Sequence, residues 1–123
     1  MVDSVTVVTH LVLMKPRPDL SAAEREAFVA AFERALREIP SIRGVRVGRR
    51  VAHGAGYEAS APNAEYVAVI DFDDLAALQA YLRHPAHEEL GARFGTSLSW
   101  ALVADFEVGG IEALRAGGLL QTE

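Results

Sequence analysis

The chain has 123 residues, 50% of them hydrophobic and 24% charged, which indicates one packed domain rather than a disordered chain. It has no cysteine, which excludes disulfides, thiolate metal sites and a cysteine nucleophile. The formal net charge of −5 gives no general attraction to nucleic acid or to an anionic membrane, so we expect neither partner. The first apolar run, residues 5–14, is too short to cross a bilayer, and no basic segment precedes it. We therefore expect a cytoplasmic protein.

The first third of the chain predicts a strand followed by a helix. Residues 5–14 are apolar at both alternating sets of positions, which is typical of a strand covered on both sides. Ser21 and Glu24 have the spacing of a capping box, and apolar residues then recur at helical intervals as far as Ile39. Pro40 ends the predicted helix.

The rest of the chain predicts three more strands and further helical segments. Val45, Val47 and Val51 indicate a short second strand, and the small, glycine-containing residues 52–63 indicate a loop. Residues 65–72 predict a third strand, again apolar on both faces, and residues 99–106 a fourth. Between them, Asp74 can cap a short helix, and a second helical segment runs from Pro85 to about residue 95.

The order β-α-β-β-α-β predicts an α+β fold, a ferredoxin-like protomer with a four-stranded antiparallel sheet. Helices in this arrangement cover one face of the sheet, yet three strands are apolar on both faces. A second copy of the chain is the simplest cover for the other face, so we predict a homodimer whose sheets face each other to close an α+β barrel.

The last sixteen residues form a separate extension. We assign residues 1–107 to the barrel domain and 108–123 to a C-terminal extension bracketed by the pairs Gly109-Gly110 and Gly117-Gly118. The residues between the glycines can form little more than one helical turn, which is unstable alone. We expect the extension to pack on the domain or on the dimer partner, with Leu119 and Leu120 as its anchors.

The segment Tyr81-Leu-Arg-His-Pro-Ala-His87 carries the most chemistry in the chain. Pro85 cannot continue a helix but fits the first turn of a new one, so we predict His84 as N-cap and His87 as the third residue of that helix. The positive end of the helix disfavours imidazolium at His87, whereas the acidic residues 88 and 89 favour it, and the sequence leaves its protonation open. Gly91, one turn later, could leave a pocket beside this histidine.

Four stretches together resemble the stress-responsive α/β-barrel (Dabb) family. They are Thr9-His10-Leu11-Val12, Glu38-Ile39-Pro40, residues 66–72 and the segment from Tyr81 to His87. The resemblance implies a homodimeric α+β barrel of ferredoxin-like protomers. One member of the family is a cofactor-free polyketide cyclase. The resemblance implies that Tyr81 and His87 match the catalytic residues of that cyclase and that His10 matches one of its pocket histidines. A further pocket histidine of that cyclase falls at or beside Tyr66, and the 52–63 loop and the C-terminal extension are departures from its pattern.

Two functions follow from these residues. One is a stress-responsive-type barrel that binds a small apolar or aromatic carbonyl ligand in a pocket lined by His10, Tyr81 and His87. The alternative is a cofactor-independent cyclase or lyase in which neutral His87 is the general base and the Tyr81 hydroxyl stabilises an oxyanion. His10 would orient one of these groups or a ligand carbonyl. Neither function calls for a cofactor.

Two other patterns favour less specific interpretations. His84 and His87, with Glu88 beside them, could bind a metal, but no further ligand stands at a fixed spacing, so we predict no metal site. Arg43, Arg46 and two more arginines at 49 and 50 surround the second strand. No aromatic residues interleave with them, which favours protection of an edge strand over nucleic-acid binding.

Overall fold

The computed structural model describes residues 6–120. Four strands and three longer helices alternate in the predicted order, and a short helix follows the last strand. The elements are β1 (Val7–Pro16), α1 (Ala22–Glu38), β2 (Ile42–Arg49), β3 (Tyr66–Phe72), α2 (Leu75–Arg83), α3 (Pro85–Ser97), β4 (Leu98–Val108) and α4 (Glu112–Ala116). The predicted start of the first strand at Val5 lies outside the described residues, as do residues 121–123.

The four strands form one antiparallel sheet in the order β2-β3-β1-β4. The order and the helices between the strands confirm the ferredoxin-like α+β prediction. In the register, His10 of β1 stands opposite Ile70 of β3 and opposite Asp105 of β4. Because partners in register share a face, these three side chains lie on the same side of the sheet.

The hydrophobic core lies between this face of the sheet and the three longer helices. Its largest fully buried side chains are Tyr81, Phe72 and Ile70. Phe32 of α1, Leu78 of α2 and other apolar side chains from the helices pack on alternate residues of β1 and β3. The apolar residues that recur every three or four positions in the helices and at every second position in the strands therefore pack together in one layer.

The start of α1 is fixed by the predicted capping box. The Glu24 N–H donates to Ser21 Oγ (3.1 Å), and the Ser21 N–H donates to Glu24 Oε1 (2.9 Å). These bonds satisfy two donors that the first turn of a helix leaves without a partner, and they lower the pKa of Glu24. The helix ends at Glu38, with Ile39 as C-cap before Pro40.

Replacing Ser21 by Ala should lower the free energy of unfolding by about 1 kcal/mol, because the N-cap acceptor is lost. Chemical denaturation of the wild type and of Ser21→Ala measures this loss directly. Ser60→Ala, in the exposed loop, is the matched control and should leave the stability unchanged. Equal stability of the two variants would contradict a stabilising role for the cap.

The edge strand β2 begins and ends earlier than the valine spacing predicted. It runs from Ile42 to Arg49, so Val51 lies outside it. The register with β3 explains the difference, since Ile42 pairs with Phe72 and a shift between Ile42 and Gly44 brings Arg49 opposite Tyr66, where β3 begins. The extent of β2 is therefore set by the length of β3, with which it pairs, and not by the spacing of its own valines. The following loop contains a short 3-10 helix, Gly56–Ser60.

The second face of the sheet is largely apolar, although it also carries the Arg46–Asp71 ion pair, and it remains partly open in the protomer. Leu102, Phe106 and Val108 of β4 point to this face, on the same side as Leu11 of β1, and Phe106 is 52% exposed. As predicted from the sequence, the strands therefore present apolar side chains on the second face as well as on the face that the helices cover. Among residues 6–120, no helix combines the length and the apolar character that a membrane crossing requires.

The C-terminal extension leaves the sheet after β4. Its residues Ile111 and Leu114 are exposed, and the expected anchors Leu119 and Leu120 are 67% and 62% exposed. These two leucines are therefore not buried against the domain of their own protomer. Packing of the extension on a dimer partner stays a prediction.

Candidate functional site

The site is organised by the junction between α2 and α3. The His84 N–H donates to the Tyr81 carbonyl (3.2 Å) and closes α2, while the Ala86 N–H donates to His84 Nδ1 (3.0 Å) and opens α3. Pro85 is the first residue of α3, as the sequence predicted. His84 therefore belongs to the end of one helix and the start of the next. Tyr81 lies in the last turn of α2, and His87 lies in the first turn of α3.

The junction brings the three predicted site residues together. The Tyr81 ring contacts the His87 ring with centroids 4.7 Å apart and the His10 ring with centroids 5.5 Å apart. Tyr81 is 2% exposed, His10 is buried and His87 is half-buried. Phe72 packs on the other side of Tyr81, with ring centroids 5.1 Å apart. We call the three residues His10, Tyr81 and His87 the His-Tyr cluster.

A fourth group, Asp105, joins the cluster from β4. Its Oδ1 lies 2.6 Å from His10 Nδ1, and its side chain is 43% exposed. An ionised carboxylate only accepts hydrogen bonds, so Nδ1 of His10 is the donor in this pair. Sequence analysis missed Asp105, because only the register of β1 with β4 shows that it stands opposite His10.

Burial sets the ionisation of both groups at the junction. It lowers the pKa of His87 below the ordinary value of 6.5, and the neighbouring His10 lowers it further. A hydrogen bond with the backbone of Leu82 and the Glu88 carboxylate oppose this shift with smaller effect. Burial alone raises the pKa of Tyr81 to about 12. At neutral pH the cluster therefore holds a neutral imidazole beside a protonated phenol.

A cavity lies elsewhere in the same layer. It has a volume of about 680 Å³ and opens between α1 and the end of the sheet where β1 finishes and β3 begins. Phe28, Phe32, Val47 and Tyr66 are among the residues that line it, whereas His10, Tyr81 and His87 are not.

The predicted gap at Gly91 opens to solvent. Gly91 is exposed, and a Cβ built there would meet nothing within 4 Å. The expectation of a pocket beside this glycine is therefore wrong, since the residue lies on the outer side of α3. The His-Tyr cluster instead meets the surface through half-buried His87 and the partly exposed Asp105 carboxylate.

The histidine pair and the arginines of β2, the two other patterns seen in the sequence, include side chains that form hydrogen bonds or ion pairs within the protein. His84 Nδ1 accepts the capping hydrogen bond of α3, and across residues 6–120 no three His, Cys, Asp or Glu side chains form a group able to hold a metal ion. Arg43 pairs with Asp73 (3.2 Å), and Arg46 lies 3.9 Å from Asp71. Both arginines belong to the edge strand β2.

The fold and the site together define a ferredoxin-like α+β protein with a buried histidine and tyrosine cluster between its helices and its sheet. Residues 8–108 match the family described as the stress responsive A/B barrel domain. The chain belongs to this family, and the match ends at the last residue of β4.

Individual relatives are distant in sequence and similar in fold. Olivetolic acid cyclase from Cannabis sativa is 23% identical over 99 residues, which are 80% of this chain and 94% of the cyclase. A hydroxynitrile lyase from Passiflora edulis has a TM-score of 0.70 at 17% identity, covering 83% of this chain and 93% of the lyase. A dimeric ferredoxin-like protein of unknown function from Jannaschia sp. CCS1 has a TM-score of 0.67 at 26% identity, covering 83% and 99%.

Proposed function

We propose that the protein binds a small apolar or aromatic carbonyl compound at the His-Tyr cluster. The observation that carries this proposal is the contact of a protonated phenol, Tyr81, with two imidazoles in a largely apolar layer. Burial raises the pKa of Tyr81 to about 12, so its hydroxyl stays protonated at neutral pH and keeps a proton to donate to a ligand. A carbonyl oxygen is an acceptor for such a donor, and the largely apolar surroundings favour an apolar or aromatic compound.

Replacing Tyr81 by Phe should weaken the binding of acetophenone about fivefold, the equivalent of one hydrogen bond of about 1 kcal/mol. Benzene, which accepts no comparable bond, should bind both proteins equally. Binding is measured by NMR titration of the full chain. The exposed Tyr57 supplies the control variant Tyr57→Phe, which should behave as wild type. Equal acetophenone affinity of wild type and Tyr81→Phe would refute the carbonyl site.

A second candidate function is cofactor-free catalysis on a carbonyl compound. The lowered pKa of His87 favours it, because a neutral imidazole at physiological pH can accept a proton. In an aldol ring closure, His87 would remove the proton α to a carbonyl, and the Tyr81 hydroxyl would donate to the developing oxyanion. His10, oriented by Asp105, would position the Tyr81 ring or the ligand. The names of two relatives, a cyclase and a hydroxynitrile lyase, support carbonyl chemistry of this kind.

We also propose that the protein acts as a homodimer that closes an α+β barrel. The support is the apolar second face of the sheet, together with a relative described as a dimeric ferredoxin-like protein. Two such faces packed on each other would remove Phe106 and Leu102 from water. The His-Tyr cluster lies on the opposite, helix-covered face, so each protomer would keep its own site.

A further inference from the structure

The C-terminal extension presents apolar side chains that the described part of its own protomer, residues 6–120, leaves uncovered. Four large side chains between residues 109 and 120 are from 52% to 79% exposed, namely Ile111, Leu114, Leu119 and Leu120. Exposed apolar groups that cluster in this way usually mark an interaction surface. The match to the family ends at residue 108, so the extension is an addition to the shared domain.

The extension has a defined shape. Its one helical turn, α4, is closed by the Gly117 N–H, which donates to the Ala113 carbonyl (2.9 Å). Gly118 then adopts a φ of 93°, which glycine tolerates best, and turns the chain after the helix. Ile111 and Leu114 are three positions apart and therefore lie on the same side of this turn. Because a single helical turn is unstable alone, packing of its apolar side on another surface would stabilise it.

The extension leaves the sheet at the end where β2 and α2 begin. Ile42 of β2 pairs with Phe72 of β3, and Phe72 pairs in turn with Val8 of β1. Val8 also pairs with Glu107, the residue before the end of β4, so these four residues form one row across the sheet. Leu75, the first residue of α2, follows Phe72 by three positions and is 58% exposed. An uncovered leucine therefore lies at the same end of the sheet as the base of the extension.

The charges on the two free edges of the sheet favour one arrangement of the homodimer. The edges are β2 and β4. Residues 42–50 contain four arginines and no acidic residue, whereas β4 contains Asp105 and Glu107 and no basic residue. A barrel closed with β4 beside the partner's β2 pairs opposite charges, whereas a barrel closed with like edges together places the arginines beside their own copies. In the first arrangement the two-fold axis runs along the barrel, so the same end of both sheets stays together.

We propose that each C-terminal extension of the homodimer packs on the partner subunit, with Ile111 and Leu114 against the partner's Leu75, where β2 and α2 begin. On its own protomer the extension would have to cross the sheet from β4 to β2, three strand spacings or about 14 Å, whereas the partner's β2 would lie directly beside β4. The inference rests on the proposed homodimer and adds to it a segment and the surface that this segment contacts.

Replacing both Ile111 and Leu114 by Ser in the full chain should raise the dimer dissociation constant about tenfold, because two apolar contacts with the partner are lost. The fold of the protomer should not change, since both side chains are exposed in it. Sedimentation equilibrium measures the dissociation constant, and circular dichroism checks the fold. The matched control replaces Val29 and Leu82 by Ser, because both are partly exposed residues of α1 and α2, and it should dimerise as the wild type does.

Crosslinking locates the contact, since the natural chain has no cysteine. The double variant Leu75→Cys/Leu114→Cys, treated with a short bis-maleimide, should give covalent dimers on a denaturing gel. The control variant Val29→Cys/Leu114→Cys should give single chains. Crosslinks of the first variant confined to one chain, or an unchanged dissociation constant in the serine variant, would overturn this inference and leave the homodimer intact. A wild type that is monomeric at micromolar concentration would instead overturn the homodimer itself and this inference with it.

Discussion

Replacing Phe106 by Asp should convert the protein from a dimer to a monomer at micromolar concentration. Phe106 of the edge strand β4 is 52% exposed on the second face, where the proposed partner sheet would cover it. A carboxylate at this position would have to leave water without a counter-charge, which disfavours association strongly. We expect the dimer dissociation constant to rise at least about 100-fold, the effect of a hot-spot residue. Light scattering coupled to size-exclusion chromatography gives the mass of each variant.

The control for this experiment is Val51→Asp. Val51 is also an exposed apolar residue, but it lies after β2 and outside the sheet. Its substitution adds the same charge and should leave the dimer intact. The homodimer proposal fails if the wild type itself is a monomer at micromolar concentration. It fails equally if Phe106→Asp remains a folded dimer.

The second large effect concerns His87 under the catalytic alternative. A suitable probe is the cleavage of mandelonitrile to benzaldehyde and hydrogen cyanide, followed by the absorbance of benzaldehyde after subtraction of the uncatalysed rate. His87 would accept the hydroxyl proton as cyanide leaves and the carbonyl forms. His87→Ala should reduce turnover by about 10²- to 10⁴-fold, the usual contribution of a general base. Tyr81→Phe should also reduce turnover, because the hydroxyl that holds the substrate oxygen is removed.

The pH profile distinguishes a base from a residue that only shapes the site. Because the pKa of His87 is lowered from 6.5, its imidazole stays mostly neutral at pH 6.5, where an ordinary histidine is half protonated. The rate should therefore exceed half of its maximum at pH 6.5 and fall only at lower pH. His53→Ala supplies the control, since His53 lies in the exposed 52–63 loop, where its Nε2 is 2.9 Å from the Tyr57 hydroxyl. Wild-type turnover in His87→Ala would exclude His87 as the base.

The elements that could be predicted from the sequence are those set by local chemistry. The capping box at Ser21 and the His84-Pro85 junction depend on residues three or four apart, so their spacing is visible in the chain itself. The apolar residues on both sides of the strands likewise predicted that the sheet has a second apolar face, which the helices do not cover. From these observations the positions of Tyr81 and His87 followed, and the structure places the Tyr81 ring in contact with both His87 and His10.

The remaining features depend on distant parts of the chain. Asp105 joins His10 only through the register of β1 with β4, which is set over 95 positions of sequence separation. The ionisation of His87 depends chiefly on burial, whereas the sequence suggested a balance between the helix end and Glu88. The cavity near Val47 is lined by residues of α1, β1, β2 and β3, which are far apart in the chain. None of these quantities is encoded in local spacing.

The position of His84 has a consequence for how this site can change. Its backbone closes α2 and its ring opens α3, so the two helices meet without any intervening loop. The Tyr81 phenol at the end of α2 and the His87 imidazole at the start of α3 are therefore connected through one residue whose backbone and ring are both hydrogen-bonded. A displacement of either helix would carry both groups along together and alter their approach to His10 more than their separation from each other.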